Sequence, residues 1–326
     1  MLASAAVPVP LSKRVKRELR SLFLQGVVRL LGLLPLPAAL ALGSLLGRVA
    51  WPLARETRRQ ALASLAVAFP ERSPAEREAI GRRSLKHLAW LAAEVVTLRR
   101  YRSRFDAYVT FAGDGERLLK EAVGRGRGLV FATGHVGNWE LMARRVARAG
   151  IPNAGVAKLG NDPRMNRTMA RVRAEGGVTT LWREEASTGR AIIRVFKEGK
   201  ALGLLIDQDT SVQGVFVPFF GRPAFTPRAV GDLALRFKAP VVVAWTRRRG
   251  PRAGDGHEVC VVEVPYDPDP ADREAESLRI TAACTARLEE AIRDRPDEWV
   301  WMHERWKRQP SPESGREATA SSVPNS

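Results

Sequence analysis

His135 and Glu140 stand five positions apart in the stretch Leu129-Val-Phe-Ala-Thr-Gly-His-Val-Gly-Asn-Trp-Glu-Leu141. A carboxylate bonded to one imidazole nitrogen fixes the tautomer and stabilises the imidazolium. The other nitrogen is then able to take a proton from an alcohol. Five positions along a continuous helix would hold the two side chains about 140° apart. They meet only if His135 lies in a turn and Glu140 in the first turn of the helix after it. No Ser or Cys stands beside His135 to act as a nucleophile. The pair therefore suits direct group transfer to a bound hydroxyl rather than a covalent enzyme intermediate.

The elements that must position this pair are legible around it. Leu129 to Thr133 is a short apolar run bounded by glycine, which reads as a buried strand of a parallel sheet. Gly134 and Gly137 allow a sharp turn and a close approach of the backbone to a ligand. Asn138 is an N-cap candidate for a helix carrying Trp139, Leu141, Met142 and Val146. His135 then sits at the carboxyl end of a strand, where open α/β sheets place their ligands. The bland alternative is a loop histidine beside a first-turn acid favoured by the helix dipole.

Further candidates follow along the chain. Arg164, Arg167, Arg171 and Arg173 fall within ten residues and form either a solvated face or an anion-binding edge. Arg183 follows an expected strand at Val178 to Leu181. Asp207 and Asp209 follow a strand expected over Ala201 to Ile206, again at a carboxyl end. No third carboxylate or His clusters with them, so no metal is expected. The glycines of Gly124-Arg-Gly-Arg-Gly128 precede a strand, unlike a dinucleotide-binding loop, which follows one. No cofactor is expected. Phe216, Phe219, Phe220 and Phe225 either line an apolar ligand pocket or pack as core.

Gly-His-x-Gly-Asn-Trp-Glu resembles the bacterial lipid A biosynthesis acyltransferases, of the lysophospholipid acyltransferase superfamily. The resemblance extends over most of the chain. It includes Arg59-Gln-Ala-Leu-Ala-Ser-Leu-Ala-Val-Ala-Phe-Pro-Glu71, where the family usually has Asn in place of Ser64. It includes Asp207-Gln-Asp209 with Gly214 to Ala224, and Pro296-Asp-Glu-Trp-Val-Trp-Met-His-Glu-Arg-Trp-Lys307. The resemblance implies a glycerol-3-phosphate acyltransferase-like mixed sheet flanked by helices, behind an N-terminal membrane anchor. It implies that His135 is the general base and that Glu140 orients it. It also implies that Arg164, with Arg167 as rival and Arg183 as a further candidate, meets a phosphorylated acceptor or the developing oxyanion. Asn138, Asp207 and Asp209 join the expected substrate-binding set. The acyl donor implied is acyl carrier protein and the acceptor a phosphorylated glycolipid. The place implied is the cytoplasmic face of the inner membrane.

The chain has 326 residues, enough for one large α/β domain or two small ones. Its 53 Lys+Arg against 35 Asp+Glu give a net charge of +18. Such an excess favours nucleic acid, an anionic membrane, phosphorylated ligands or an acidic partner protein. Cys260 and Cys284 fit a reducing compartment better than a disulfide framework. A basic cluster from Lys13 to Arg20 precedes an apolar stretch, Leu22 to Leu53, interrupted by Pro35 and Pro37. Basic residues flank both of its ends, which a single span satisfies poorly. The expectation is a Pro-broken helical pair or in-plane anchor, ahead of a single span and of a buried soluble helix. Residues 1–55 are assigned to this anchor, 56–308 to the catalytic domain and 309–326 to a disordered tail. The rivals are a lysophospholipid or aminolipid acyltransferase, which needs the same His–Glu dyad, and a basic nucleic-acid-binding protein. The second expects aromatics interleaved with Lys/Arg on one face. Only the segment from Trp299 to Lys307 offers that, so no nucleic-acid partner is expected.

Overall fold

The computed structural model describes residues 25–98 and 103–310, together with Glu18 and Leu22. The basic cluster Lys13 to Arg20 lies outside the described residues, and so does the expected tail from residue 311.

The apolar N-terminal stretch is broken where the sequence places its first proline. Residues 25–33 are helical, and a second helix, α1 (Leu36–Leu53), begins after Pro35. Helix α2 (Arg55–Ala68) and the long α3 (Pro74–Thr97) follow. Ser73 caps α3 with the reciprocal box its sequence predicts. Its Oγ accepts from the Glu76 N–H (3.3 Å), and its own N–H donates to Glu76 Oε2 (2.8 Å). Helix α1 lies along α3. It turns the small residues Ala39, Gly43 and Gly47 inward, and its Ser44 hydroxyl accepts from Trp90 Nε1 (2.7 Å). It is long and apolar enough to cross a membrane, with 28% of it buried. Leu45, Val49 and Leu53 stay exposed on its outer side.

The remainder alternates helices and strands. After a short helix, α4 (Phe105–Tyr108), come β1 (Val109–Phe111), α5 (Gly115–Gly124), β2 (Leu129–Thr133) and α6 (Trp139–Arg148). Then follow β3 (Asn153–Ala157), α7 (Pro163–Glu175), β4 (Val178–Trp182), α8 (Thr188–Lys197) and β5 (Ala201–Leu205). A hairpin, β6 (Gly214–Phe219) with β7 (Arg222–Pro227), precedes α9 (Ala229–Phe237), β8 (Val241–Arg248), β9 (His257–Glu263) and α10 (Arg273–Asp294). Seven strands form one mixed sheet in the order β1-β9-β8-β2-β5-β3-β4. The block β8-β2-β5-β3-β4 is parallel throughout, and β9 turns antiparallel to β8.

The central strands are apolar runs because helices cover both faces of the sheet. All five residues of β2 are buried. On one face Leu129 and Phe131 pack with Leu141 and Met142 of α6; on the other Val130 and Ala132 pack with Val230 of α9 and Ile280 of α10. Parallel pairing has a geometric consequence for chemistry. The carboxyl ends of β2, β5, β3 and β4 fall along one edge; the turns leaving it carry His135, Asp207 and Arg183, and the first turn of α7 carries Arg164.

Candidate active site

β2 ends at Thr133, and β5, its parallel neighbour, ends at Leu205. A Cβ on Gly134 would lie 2.8 Å from Asp207 Oδ2, so only glycine lets the two strand ends approach this closely. The carboxylate of Asp207 closes the gap. Its Oδ2 accepts from the His135 backbone N–H (2.6 Å) and from Trp299 Nε1 (2.7 Å), and its Oδ1 lies 2.9 Å from His135 Nδ1. Burial alone pushes the Asp207 carboxyl up. The electrostatic attraction of His135 and the hydrogen bonds from His135 and Trp299 outweigh it and hold the group well below the usual carboxylate range. An ionised carboxylate can only accept, so Nδ1 carries the proton and Nε2 presents a lone pair. The His135 side chain keeps 18% of its surface exposed, against 1% for Asp207. The base is reachable and its partner is not.

Three residues surround the outward nitrogen. The Gln208 amide lies 3.4 Å from His135 Nε2 and also contacts the His303 ring. The rings of Trp139 and His303 stand edge-on to His135, at centroid distances of 4.7 and 5.0 Å. Burial, reinforced by the charge of His135, pushes the His303 pKa down to about 4, so it is neutral at physiological pH.

The expected bond between His135 and Glu140 is replaced in this structure. Glu140 leaves the first turn of α6 toward α7, where Arg173 grips both of its oxygens, from Nε (2.9 Å) and from Nη2 (2.6 Å). The physical reason is competition. A bidentate guanidinium is the stronger partner for a mostly buried carboxylate, and Asp207 already occupies Nδ1. Arg173 is therefore not part of a solvated arginine face, whereas Arg171 is exposed.

The turn after His135 is fixed from below. Gly137 has φ +62°, and a Cβ there would meet the Thr246 carbonyl oxygen at 2.1 Å. Its N–H donates to the Glu298 carbonyl (2.8 Å), and Val136 bridges to Trp299. His87 is buried with Nε2 3.2 Å from the Gly137 carbonyl. Asn138 caps α6 as its position predicts, with Oδ1 accepting from the Leu141 N–H (3.2 Å). Its expected role in binding substrate does not survive. It is fully buried, and Nδ2 donates to Glu94 Oε2 (2.8 Å). Glu94, on α3, also takes Arg248 (2.8 Å), His257 Nε2 (2.9 Å) and the Tyr108 hydroxyl (2.8 Å). Burial pushes the Glu94 carboxyl up. The charges of His257 and Arg248 overcome this and hold it well below its ordinary value.

The other expected residues lie on the same sheet edge with partners of their own. Arg164 bonds Asp162 and Glu18, Arg183 bonds Glu184, and Arg167 is exposed. Asp207 serves His135, as above. Asp209 is buried against Arg308, whose N–H donates to Oδ2 (3.0 Å), with Nη2 2.6 Å from Oδ1. Both carboxylates are taken up by protein partners. The phenylalanine cluster divides. Phe219 and Phe220 are buried among Trp299, Trp301 and Trp306, and Phe216 stacks edge-on against Phe225 across the hairpin. The core alternative holds for Phe219 and Phe220. An apolar cavity lies elsewhere, between α6 and the sheet, with about 580 Å³ of atom-free space including its mouth.

Gln208, Trp299 and the support from Glu94 and Thr246 are not legible from spacing. The one available signal is that Asp207 and His135 both follow apolar strands, which a parallel sheet brings to one edge.

The sequence profile described as bacterial lipid A biosynthesis acyltransferase matches residues 12–308. The lipid A biosynthesis lauroyltransferase of Escherichia coli (strain K12) is 25% identical over 297 residues, covering 87% of this chain and 90% of that protein. The lipid A biosynthesis palmitoleoyltransferase of the same organism is also 25% identical, covering 89% and 91%. The lipid A biosynthesis acyltransferase of Shigella flexneri gives the same figures. With a His–carboxylate pair at the carboxyl edge of the sheet and a family match over nearly the whole length, this chain belongs to the bacterial lipid A biosynthesis acyltransferases.

Proposed function

We propose that the protein moves a fatty acyl chain from an acyl thioester, carried on acyl carrier protein, to a hydroxyl of a lipid A precursor or related glycolipid. The observation that carries this is the His135–Asp207 pair. It leaves Nε2 as the only proton acceptor on a partly exposed imidazole whose other side is locked. The acceptor hydroxyl displaces the Gln208 amide and gives its proton to Nε2 as its oxygen attacks the thioester carbonyl. The tetrahedral intermediate collapses, the C–S bond breaks, and the imidazolium returns the proton to the leaving thiolate. Asp207 stabilises the transient imidazolium. Arg164 and Arg167, near the start of α7, and Arg183, in the turn after β4, are the cationic candidates for the oxyanion or for acceptor phosphates. Arg164 and Arg183 would first have to release acidic neighbours.

The same reading gives residues 56–308 a glycerol-3-phosphate acyltransferase-like fold and residues 1–55 the role of anchor. The exposed leucines of α1 support an in-plane seat on the cytoplasmic face of the inner membrane, since its inner side is committed to α3. The test is transfer itself. Purified protein is incubated with lauroyl-carrier protein and a lipid A precursor, and the lipid is weighed by mass spectrometry. One added acyl group, absent with His135→Ala, is expected. Transfer by His135→Ala at the normal rate would refute the mechanism.

A further inference from the structure

Glycine weakens the interior of a strand, and its presence there often marks a close approach by something else. Gly155 of β3 and Gly203 of β5 stand side by side in register, in the middle of the parallel block. Nothing in the protein takes up the room they leave. A Cβ at Gly155 would meet nothing within 4 Å, and at Gly203 it would meet only the Ala154 carbonyl oxygen at 3.5 Å and Gly155 Cα at 3.9 Å. The vacant space belongs to the cavity under α6. Trp139, Met142, Ala143 and Val146 roof it, and Phe131 and Leu205 form part of its floor. Its polar lining includes the Glu140–Arg173 pair, whose charges neutralise each other.

The cavity runs from the reacting centre inward. Thr133, Leu205 and Trp139 line its upper part, and the Trp139 ring stands against His135. Asn153 lines it at the level of Ala201, four residues deeper, or about 13 Å along the strands. A chain whose carbonyl sits at His135 would thread past Trp139 and cross the two glycines.

Resting on the acyl-transfer reading above, we infer that this trough takes the hydrocarbon chain of the acyl donor, and that Gly155 and Gly203 set how long a chain is admitted. The walls are apolar, and side chains at either position would close the trough without touching His135. An acyl chain already on the glycolipid acceptor has the same chemistry. The donor is favoured because its thioester carbonyl is the atom that must lie beside His135.

The test substitutes Gly155→Val, Gly203→Val and, as the milder steps, Gly155→Ala and Gly203→Ala. kcat/KM is measured with donors of eight to sixteen carbons on one acceptor, then with acceptors of different acyl content on one donor. The valine variants should lose tenfold or more with the longest donor that the parent protein uses. With a donor two to four carbons shorter they should stay within about threefold. Their melting temperatures should hold or rise, because a β-branched side chain suits a strand and meets open space. Displacement of a fluorescent fatty acid from the His135→Ala protein reads the same trough without turnover, and Gly203→Val should abolish long-chain binding there. An unchanged donor profile, or a profile that shifts with the acceptor instead, would overturn the inference. Absence of transfer by the parent protein with every donor would overturn the acyl-transfer reading, while the fatty-acid measurement would still decide the trough.

Discussion

His135 Nδ1 lies 2.9 Å from Asp207 Oδ1, across 72 residues of chain, while Glu140, only five positions away, is held by Arg173. Two carboxylates are thus candidates to orient the imidazole, and substitution separates them. Asp207→Asn removes the charge that steadies the imidazolium, and kcat should fall roughly 10²–10⁴-fold. Glu140→Gln keeps an oxygen for Arg173, and the loss should stay below about tenfold. Steady-state kinetics with circular dichroism as the folding control makes the comparison. Equal losses in kcat would show that Glu140 reaches His135 during turnover and that the Asp207 pair belongs to the resting enzyme.

The turn that presents His135 depends on Gly137. Alanine there must adopt φ near +62° and place its methyl against the Thr246 backbone. Left-handed strain and overpacking together predict a loss of roughly 2–4 kcal/mol. Urea unfolding of Gly137→Ala measures it. A loss under about 0.5 kcal/mol would mean that the loop can move off Thr246, and that its position is not fixed by this contact.

How much of this is written locally in the sequence can be judged residue by residue. Strand β2 and the Asn138 cap follow from neighbours a few positions apart, and they stand as read. The partner of His135 does not follow in this way, because periodicity does not say which neighbouring helix a first-turn acid will face. Arg173 looks like one of a run of surface arginines until α7 is packed near α6. Asp207 is legible as a strand-end carboxylate, but its partner depends on β2 and β5 being adjacent and in register. Trp299 and Glu94 reach the site through tertiary contacts alone. The apolar cavity is hidden for a related reason. Gly155 and Gly203 are 48 positions apart in sequence and meaningless until paired.

Acid should destabilise the protein through His87. Burial, then the charge of Arg248, push its folded pKa down to about 3, against about 6.5 when unfolded. Below pH 6.5 the unfolded chain therefore binds a proton that the folded chain refuses, and stability falls as pH falls. At pH 5 this one group costs about 2 kcal/mol relative to neutral pH. The melting temperature should drop between pH 7 and pH 5, and by less in His87→Gln, whose amide can still donate to the Gly137 carbonyl. An identical drop in both proteins would show that His87 is already protonated in the folded state, or that other groups set the slope.

The choice of donor should show itself in salt. Acyl carrier proteins are small and acidic, and acyl-CoA also carries phosphates, so a chain at +18 attracts both. The difference is one of extent. A protein donor meets many charges over a broad surface, and its association rate falls steeply as ionic strength rises. A small ligand engages a few charges at short range and is screened less. kcat/KM should therefore favour the carrier protein at low salt. That advantage should shrink as the Debye length drops from about 30 Å to about 8 Å. Charge reversal at the exposed Arg171 should weaken carrier-protein use more than acyl-CoA use. Arg173 is unsuitable for the same experiment, because reversing it would set two carboxylates against each other at Glu140. If acyl-CoA is the better donor at every salt concentration, the carrier-protein assignment is wrong, and the chemistry at His135 would then be fed by a small thioester instead.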